Sequence, residues 1–438
     1  MYQGTRSAPS KHGFRAKIVA ASIAVVCSLS TSAAGQDLVG LYLTWSHDPT
    51  TTMTINWVDI YSSSSDTLWY RKNGAEGWSQ VAATRSTVGP TTLQLRRSEL
   101  TNLQPGTNYE FGIGAQPRDA SHFWRFRTMP AKLGQTVRFV AGGDMMHNRE
   151  MLDAMSRQAQ RLDPDFAMFL GDLAYANGVV GTRWIDWLQS WKEFSVAKDK
   201  RLIPIVMAIG NHEVRREAQG KNPQEDAPYF YSLFQLPHDR SYYALDFGKY
   251  LSLILLDSEH TQPIAGAQAQ WLGEALGERA DQEFVFVGYH WPAYGTTKAP
   301  QGGLPIDAPK AIAIRKNWVP HFERYGITAA FENDHHNFKR THPLRNHKRD
   351  DANGILYLGD GAWGVVTREV PSPDVGWWLA KAESRNHLWE VELRSDDSAL
   401  IQAIDRDGEI FDRVELKRAR PEPVEPTPSQ AAAGSADR

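Results

Sequence analysis

The sequence is almost free of cysteine. Its 438 residues include one, Cys27, which lies in an N-terminal segment that we expect to be removed. The mature chain would then have no disulfide, and no thiolate could act as a nucleophile or bind a metal. Any metal ion would therefore depend on oxygen and nitrogen ligands.

Long hydrophobic runs are also scarce. The apolar stretch 18–30 follows Lys11, Arg15 and Lys17 and is too short to span a membrane comfortably. Small residues at 31–36 then favour cleavage, so we predict a signal peptide over residues 1–35 and export to the periplasm or out of the cell. An uncleaved membrane anchor is the alternative.

The third missing feature is an excess of charge. The chain has 48 Lys and Arg against 51 Asp and Glu, which leaves a net charge of −3. Proteins that bind nucleic acids or anionic membranes usually carry a strongly basic surface. We therefore expect no nucleic acid binding beyond a possible substrate and no stable membrane partner. Composition leaves the oligomeric state undetermined.

Residues 36–130 are predicted to form a β-rich domain. Runs of β-branched and aromatic residues at 41–45, 53–58 and 67–72 are separated by Asp, Pro, Ser and Asn. At 100–114 a Pro-Gly turn leads into an alternating Tyr/Phe strand. This arrangement resembles the fibronectin type III sandwich, and the segment has the size of one. We expect it to serve for packing or spacing.

Over residues 131–418 the pattern changes to continuous apolar runs that end in Asp, Asn or His. Continuous runs indicate strands buried on both faces. Helical segments are predicted at 148–162, 183–194, 265–278 and 308–326, and in the second of these Trp184, Trp187 and Trp191 predict a buried face. The result is an α/β layered domain, followed by a Pro- and Ala-rich tail at 419–438 that we expect to be disordered.

Five strand ends carry possible metal ligands. In chain order they supply Asp144, then Asp172 and Tyr175, then Asn211 and His212, then His290, and finally Asn333, Asp334, His335 and His336. A single Asp after a strand is more often a turn or cap residue. Several acids and imidazoles at one sheet edge, however, would stay uncompensated without a cation. Mixed carboxylate, amide and imidazole ligands suit iron, manganese or zinc.

Taken in order, these motifs resemble the purple acid phosphatase branch of the calcineurin-like metallophosphoesterases. The family reads Asp-x-Gly, Gly-Asp-x-x-Tyr, Gly-Asn-His-Glu/Asp, Val-x-x-His and Gly-His-x-His. The chain has GDLAY at 171–175, GNHE at 210–213, VGYH at 287–290 and NDHH at 333–336, whereas Asp144 is followed by two methionines. The resemblance implies a fibronectin III-like β-sandwich followed by a layered α/β/β/α metallophosphoesterase domain.

The resemblance also implies a binuclear centre of Fe(III) and a divalent ion, which would be iron, zinc or manganese. The ligands it implies are Asp144, Asp172, Tyr175 and His336 for one ion, and Asp172, Asn211, His290 and one residue of the last motif for the other. A phenolate at Tyr175 favours a trivalent ion, because a highly charged metal is needed to lower its pKa from about 10.

The last motif departs from the family pattern. Asp334 stands where the first histidine belongs, and His336 keeps the second position. We expect Asp334 to be the ligand; alternatively, His335 ligates and Asp334 supports it. The family's further histidine, which can protonate the leaving group, is not found at 291–303, so His212 becomes the candidate for phosphate contact and acid help. His147 either reaches the site or is structural.

These assignments predict an exported acid phosphatase. It would hydrolyse phosphate monoesters by in-line attack of a metal-bound hydroxide. One alternative is a phosphodiesterase or nucleotide hydrolase that uses the same centre. Another is a secreted binding protein with a degenerate catalytic domain.

Overall fold

The computed structural model describes residues 38–60, 65–119, 121, 123–215, 222–370 and 376–417. The predicted signal peptide and the predicted tail lie outside the described residues. Within the described ranges, no helix has both the length and the apolar character needed to cross a bilayer.

The first domain is a β-sandwich of two four-stranded antiparallel sheets. Its strands are β1 (Gly40–Thr44), β2 (Met53–Asp59), β3 (Thr67–Lys72), β4 (Ser79–Ala82), β5 (Thr84–Thr87), β6 (Gln94–Leu100), β7 (Asn108–Ile113) and β8 (Trp124–Arg127). One sheet has the order β1-β2-β6-β5 and the other β4-β3-β7-β8. The predicted β-rich N-terminal domain is confirmed.

The second domain contains two larger mixed sheets and one hairpin. Its strands are β9 (Val137–Gly142), β10 (Phe166–Leu170), β11 (Ile205–Ala208), β12 (Tyr243–Phe247), β13 (Leu251–Leu255), β14 (Phe284–Gly288), β15 (Ala329–Phe331), β16 (Phe338–Thr341), β17 (Leu344–Arg345), β18 (Lys348–Arg349), β19 (Leu356–Gly359), β20 (Leu379–Glu383), β21 (His387–Leu393), β22 (Ser398–Asp405) and β23 (Ile410–Lys417). The sheet orders are β11-β10-β9-β21-β22-β23 and β12-β13-β14-β15-β19-β16-β20. In the first sheet β9, β10 and β11 are parallel, and in the second β13, β14, β15 and β19 are parallel.

Seven α-helices accompany these sheets in the part of the chain that the structure describes. They are α1 (Arg149–Leu162), α2 (Gly181–Phe194), α3 (Pro223–Asp226), α4 (Pro228–Leu233), α5 (Ala267–Gly277), α6 (Pro309–Asn317) and α7 (Val319–Tyr325). Aromatic rings join the two sheets, since Phe139 of β9 lies 5.6 Å from Phe286 of β14. Helix α2 packs on β10 through Trp191, whose ring is 4.9 Å from Phe169. Leu272 and Phe322, in α5 and α7, are buried in one apolar cluster with Val287 of β14, which confirms the α/β/β/α layering.

Two local predictions have clear outcomes. The buried face of α2 is confirmed, because Trp184, Trp187 and Trp191 are all at most 2% exposed. The single helix predicted over 308–326 is wrong, since α6 ends at Asn317 and α7 begins at Val319. Pro320 explains the break, because proline has no N–H to donate to the preceding turn and its ring clashes there.

The two domains share one hydrophobic core. Tyr42 of β1 donates to the carbonyl of Leu233 at 2.7 Å, and Arg97 of β6 donates to the same oxygen at 2.7 Å. Gly40 of β1 lies against Leu188 of α2, where an added Cβ would come within 3.0 Å of that side chain. The sandwich therefore packs against helix α2, the helix that follows the loop after β10. The boundaries 36–130 and 131–418 stay predictions.

Candidate metal centre

The predicted ligands follow strands whose carboxyl ends meet between the two sheets. The first sheet supplies residues after β9, β10 and β11, and the second supplies residues after β14 and β15. Because these strands are parallel within each sheet, their carboxyl ends share an edge. The structure brings all seven predicted ligands to this edge: Asp144, Asp172, Tyr175, Asn211, His290, Asp334 and His336.

The backbone at this edge is unusual. Five of the seven predicted ligands have a positive φ between 53° and 76°: Asp144, Asp172, Tyr175, Asp334 and His336. Residues other than glycine seldom adopt this conformation, and clusters of such residues are typical of functional sites. The fold therefore holds these side chains in positions that ordinary turns would not give.

The first group of ligands consists of Asp144, Tyr175 and His336. The Tyr175 hydroxyl donates to Oδ1 of Asp144 at 2.9 Å and lies 3.1 Å from Nε2 of His336. That nitrogen is 3.0 Å from the same carboxylate oxygen. A carboxylate oxygen, a phenol oxygen and an imidazole nitrogen thus lie within 3.1 Å of one another.

The second group consists of Asp172, Asn211 and His290. Nε2 of His290 lies 3.3 Å from Oδ1 of Asp172 and 3.2 Å from Oδ1 of Asn211. Nδ1 of His290 is 3.0 Å from the carbonyl oxygen of Leu170, which can accept its proton. This hydrogen bond directs Nε2 toward the carboxylate, which is the orientation a metal ligand needs.

The two groups are adjacent, and two buried carboxylates meet where they join. Ligand atoms of Asp144, Asp172 and His290 all lie within 4.8 Å of one another, and the three residues are buried. Burial opposes a charge on His290, yet Asp172 and Asp144 raise its pKa to about 10. Burial, Asp144 and Asp172 raise the pKa of Tyr175 well above its usual value. The donor set therefore fits a cation, which would replace the protons that now balance the carboxylates.

Asp334 and His335 occupy different places, although they are neighbours in sequence. Oδ1 of Asp334 lies 3.7 Å from Nε2 of His290, so this carboxylate faces the second group. Nδ1 of His335 instead accepts the backbone N–H groups of Thr296 and Thr297, both at 3.0 Å. Nε2 of His335 lies 3.7 Å from Oδ2 of Asp334. His335 thus lies near Oδ2 of Asp334, whereas His290 lies near Oδ1.

His212 lies at the edge of the centre. Its backbone N–H donates to Oδ1 of Asp172 at 2.7 Å, and its Nε2 is 3.8 Å from Oδ2 of the same residue. Its Nδ1 is hydrogen-bonded to Oδ1 of Asn177. The side chain is about one-third exposed, at 34%, so its ring can meet a ligand that enters from solvent.

His147 also reaches the centre. Its ring lies 5.2 Å from that of Tyr175 and 5.3 Å from that of His336. Its Nδ1 accepts the backbone N–H of Val366 at 3.0 Å. The sequence left open whether His147 reaches the site or is structural. The structure places its ring against two predicted ligands, Tyr175 and His336.

Glu213 is an important residue that the sequence reasoning passed over. Its carboxylate accepts the backbone N–H groups of Asp172 at 2.7 Å, Leu173 at 2.8 Å and Gly210 at 2.9 Å. It is 1% exposed, and burial together with the charge of Asp172 raises its pKa to about 7. One side chain thus ties the loop after β10 to the loop after β11. Its place in the GNHE motif was the available signal.

Glycines let these two loops approach closely. Gly171 has φ +89°, and a Cβ there would lie 2.6 Å from Nδ1 of His290. At Gly210 a Cβ would lie 2.4 Å from both the backbone nitrogen and Oδ1 of Asp172. Gly171 thus permits a backbone turn with positive φ, whereas Gly210 is needed for close contact between the loops.

Two basic residues near the last motif were also missed. Nζ of Lys298 lies 2.6 Å from Oδ1 of Asp334. Arg368 donates to the carbonyl of Asp334 at 2.9 Å and lies 3.4 Å from Nε2 of His336. Both come from loops whose course the sequence does not reveal.

Comparisons with known proteins agree with this arrangement. The family model of the purple acid phosphatase N-terminal domain matches residues 38–128, and that of the calcineurin-like phosphoesterases matches residues 137–331. Tartrate-resistant acid phosphatase type 5 of Mus musculus is 24% identical over 324 residues, which cover 66% of this chain and 92% of the relative.

A solved structure and a longer relative complete the comparison. The purple acid phosphatase PPD1 from yellow lupin seeds superposes with a TM-score of 0.71 at 17% identity, covering 86% of this chain and 74% of the other. This likeness shows the fold. An uncharacterised protein of Mycobacterium tuberculosis is 25% identical over 360 residues, which cover 70% of this chain but only 62% of the relative's length.

Proposed function

The chain belongs to the purple acid phosphatase-like metallophosphoesterases, and on this premise we propose that it is an exported phosphatase that hydrolyses phosphate monoesters at a binuclear metal centre. The observation that carries the proposal is the meeting of two ligand groups, with Asp144, Asp172 and His290 within 4.8 Å of one another. Export rests on the sequence pattern at 11–36.

Each ligand group suits a different ion. Tyr175 with Asp144 and His336 offers a phenol, a carboxylate and an imidazole, which suit Fe(III). Asn211 and His290, with Asp334 beside them, would hold a divalent iron, zinc or manganese ion. Asp172 would bridge the two. When bound, such a pair supplies Lewis acidity and lowers the pKa of water.

The chain's own residues would orient the substrate. His212 is partly exposed beside Asp172, so its imidazole can contact a phosphate oxygen or assist the leaving group. Asn177 fixes the ring through Nδ1, which leaves Nε2 for that contact. Trp291 donates its indole N–H to Oδ1 of Asn211 at 3.2 Å and thereby orients the amide. These groups align the ester for in-line displacement.

The proposal predicts a measurable substrate preference. Purified mature protein, loaded with iron and zinc, is expected to hydrolyse p-nitrophenyl phosphate with a higher kcat/KM than bis(p-nitrophenyl) phosphate. Elemental analysis of the same sample should find two metal ions per chain. Faster turnover of the diester would instead identify a phosphodiesterase. Absence of both metal and turnover would favour the degenerate binding protein.

The role of Tyr175 gives a spectroscopic prediction. A phenolate bound to Fe(III) gives a visible charge-transfer absorption, and Tyr175→Phe is expected to abolish it because phenylalanine has no oxygen to bind the iron. Tyr325→Phe serves as the control, since Tyr325 ends α7 ahead of β15, whereas the predicted ligands Asp334 and His336 follow that strand. A visible band that persists in Tyr175→Phe would remove Tyr175 from the ligand set.

A further inference from the structure

Lys298 holds the carboxylate that distinguishes this chain from the family pattern. The side chain of Asp334 is 6% exposed, and that of Lys298 is 42% exposed. Their closest atoms, Nζ and Oδ1, are 2.6 Å apart, which is a charge-assisted hydrogen bond. The residue that replaces a family histidine is therefore paired with a cation from the chain itself.

The lysine takes the oxygen that faces the second ligand group. Oδ1 of Asp334 is both the atom bound by Lys298 and the atom 3.7 Å from Nε2 of His290. Oδ2 points elsewhere, toward Nε2 of His335 at 3.7 Å. A divalent ion held between His290 and Asp334 would need Oδ1, so the ion and the ammonium converge on the same oxygen.

The other oxygen of the carboxylate faces a ring that is itself held in place. His335 behind it is fixed by two backbone N–H groups, from Thr296 and Thr297. Gly295 lies against that ring, since a Cβ there would come within 2.2 Å of Cε1 of His335. The loop that carries Lys298 thus also holds His335.

The charges are consistent with this competition. Nζ of Lys298 lies 2.6 Å from Oδ1 of Asp334 and places a positive charge on this carboxylate. The ammonium of Lys298 therefore offsets the charge of the carboxylate before any metal ion binds. A cation that binds there gains less than it would from a free carboxylate.

On the basis of the proposed function, we propose that Lys298 competes with the divalent metal ion for Oδ1 of Asp334 and thereby weakens the second metal position relative to the first. The ion must displace the ammonium from this oxygen before Asp334 can ligate it. The second position would then be filled only at high concentrations of the divalent ion. The first group, which contains Tyr175 and which Lys298 does not contact, would keep its ion at low concentrations as well.

The test is a metal titration of the folded mature chain. Protein loaded with one equivalent of Fe(III) is titrated with Zn²⁺ by equilibrium dialysis with elemental analysis. Lys298→Met is expected to tighten the second site about tenfold, which corresponds to the loss of one charge-assisted hydrogen bond by the competitor. Lys249→Met is the matched control, because Lys249 is exposed and paired with Asp281 at 3.2 Å but contacts no predicted ligand.

A double-mutant cycle separates competition from general charge effects. In an Asp334→Asn background, Lys298→Met should no longer change zinc affinity, because there is no carboxylate to compete for. Equal zinc affinity in wild type and Lys298→Met would overturn the inference. So would a gain in zinc affinity from Lys298→Met that is as large in the Asp334→Asn background as in wild type. Failure of every variant to bind zinc would overturn it as well. Ester turnover by the wild type, measured separately, decides whether the proposed function survives that result.

Discussion

Replacing Asp172 with asparagine is expected to remove both metal ions and to lower kcat by about a thousandfold or more, which is roughly 4 kcal/mol of transition-state stabilisation. Oδ1 of Asp172 lies 3.3 Å from Nε2 of His290, and Asp172 also lies beside Asp144 in the cluster of buried predicted ligands. In the proposed centre it is the one carboxylate that would serve both ions. Asparagine keeps the shape but removes the negative charge, so it cannot bridge two cations.

The measurement combines elemental analysis with turnover of a phosphate monoester. Asp153→Asn is a suitable control, because Asp153 lies in α1 and is bound by Arg149 at 2.6 Å and Ser190 at 2.6 Å, not by a predicted ligand. Circular dichroism should show both variants folded. If Asp172→Asn kept two metals and full turnover, the assignment of the whole centre would be wrong.

Much of the site was predictable because the signals were local. An apolar run followed by a polar residue identifies a buried strand and its end, and this placed Asp144, Asp172 and His290 at one edge. Positive φ at Asp172 was not predictable, since it follows from the crowding of two loops around Gly210.

What the sequence could not supply were partners brought together from distant segments. Strand β21 pairs antiparallel with β9, placing Trp389 opposite Ala141, although the two strands lie far apart along the chain. Lys298 lies 36 residues before Asp334, and nothing in a loop of Gly, Thr, Lys and Pro indicates that its ammonium meets that carboxylate. Such contacts depend on the path of each loop over the finished sheets.

Glu213 shows how a residue inside a recognised motif can have a different role from its neighbours, and its substitution carries the second large prediction. Glu213→Gln is expected to lower the free energy of unfolding by about 2–4 kcal/mol and to weaken metal binding. Glutamine offers one acceptor oxygen where the carboxylate offers two, so the N–H of Leu173, or those of Asp172 and Gly210, would face an amide NH₂. Urea unfolding at pH 8, above the pKa of about 7, measures the loss with the wild-type carboxylate ionised.

The two large predictions differ in how excess metal should act. Asp172→Asn lacks a ligand, so added iron and zinc should not restore its activity. Glu213→Gln keeps every ligand but loosens the loops that carry them, so saturating metal should recover much of the turnover by binding the folded state preferentially. Glu278→Gln is the control, because that side chain is 74% exposed and its loss should change neither stability nor metal affinity. If Glu213→Gln left the free energy of unfolding unchanged, the three hydrogen bonds of Glu213 would not hold the loops together. The close packing of Gly171 and Gly210 would then be what positions Asp172.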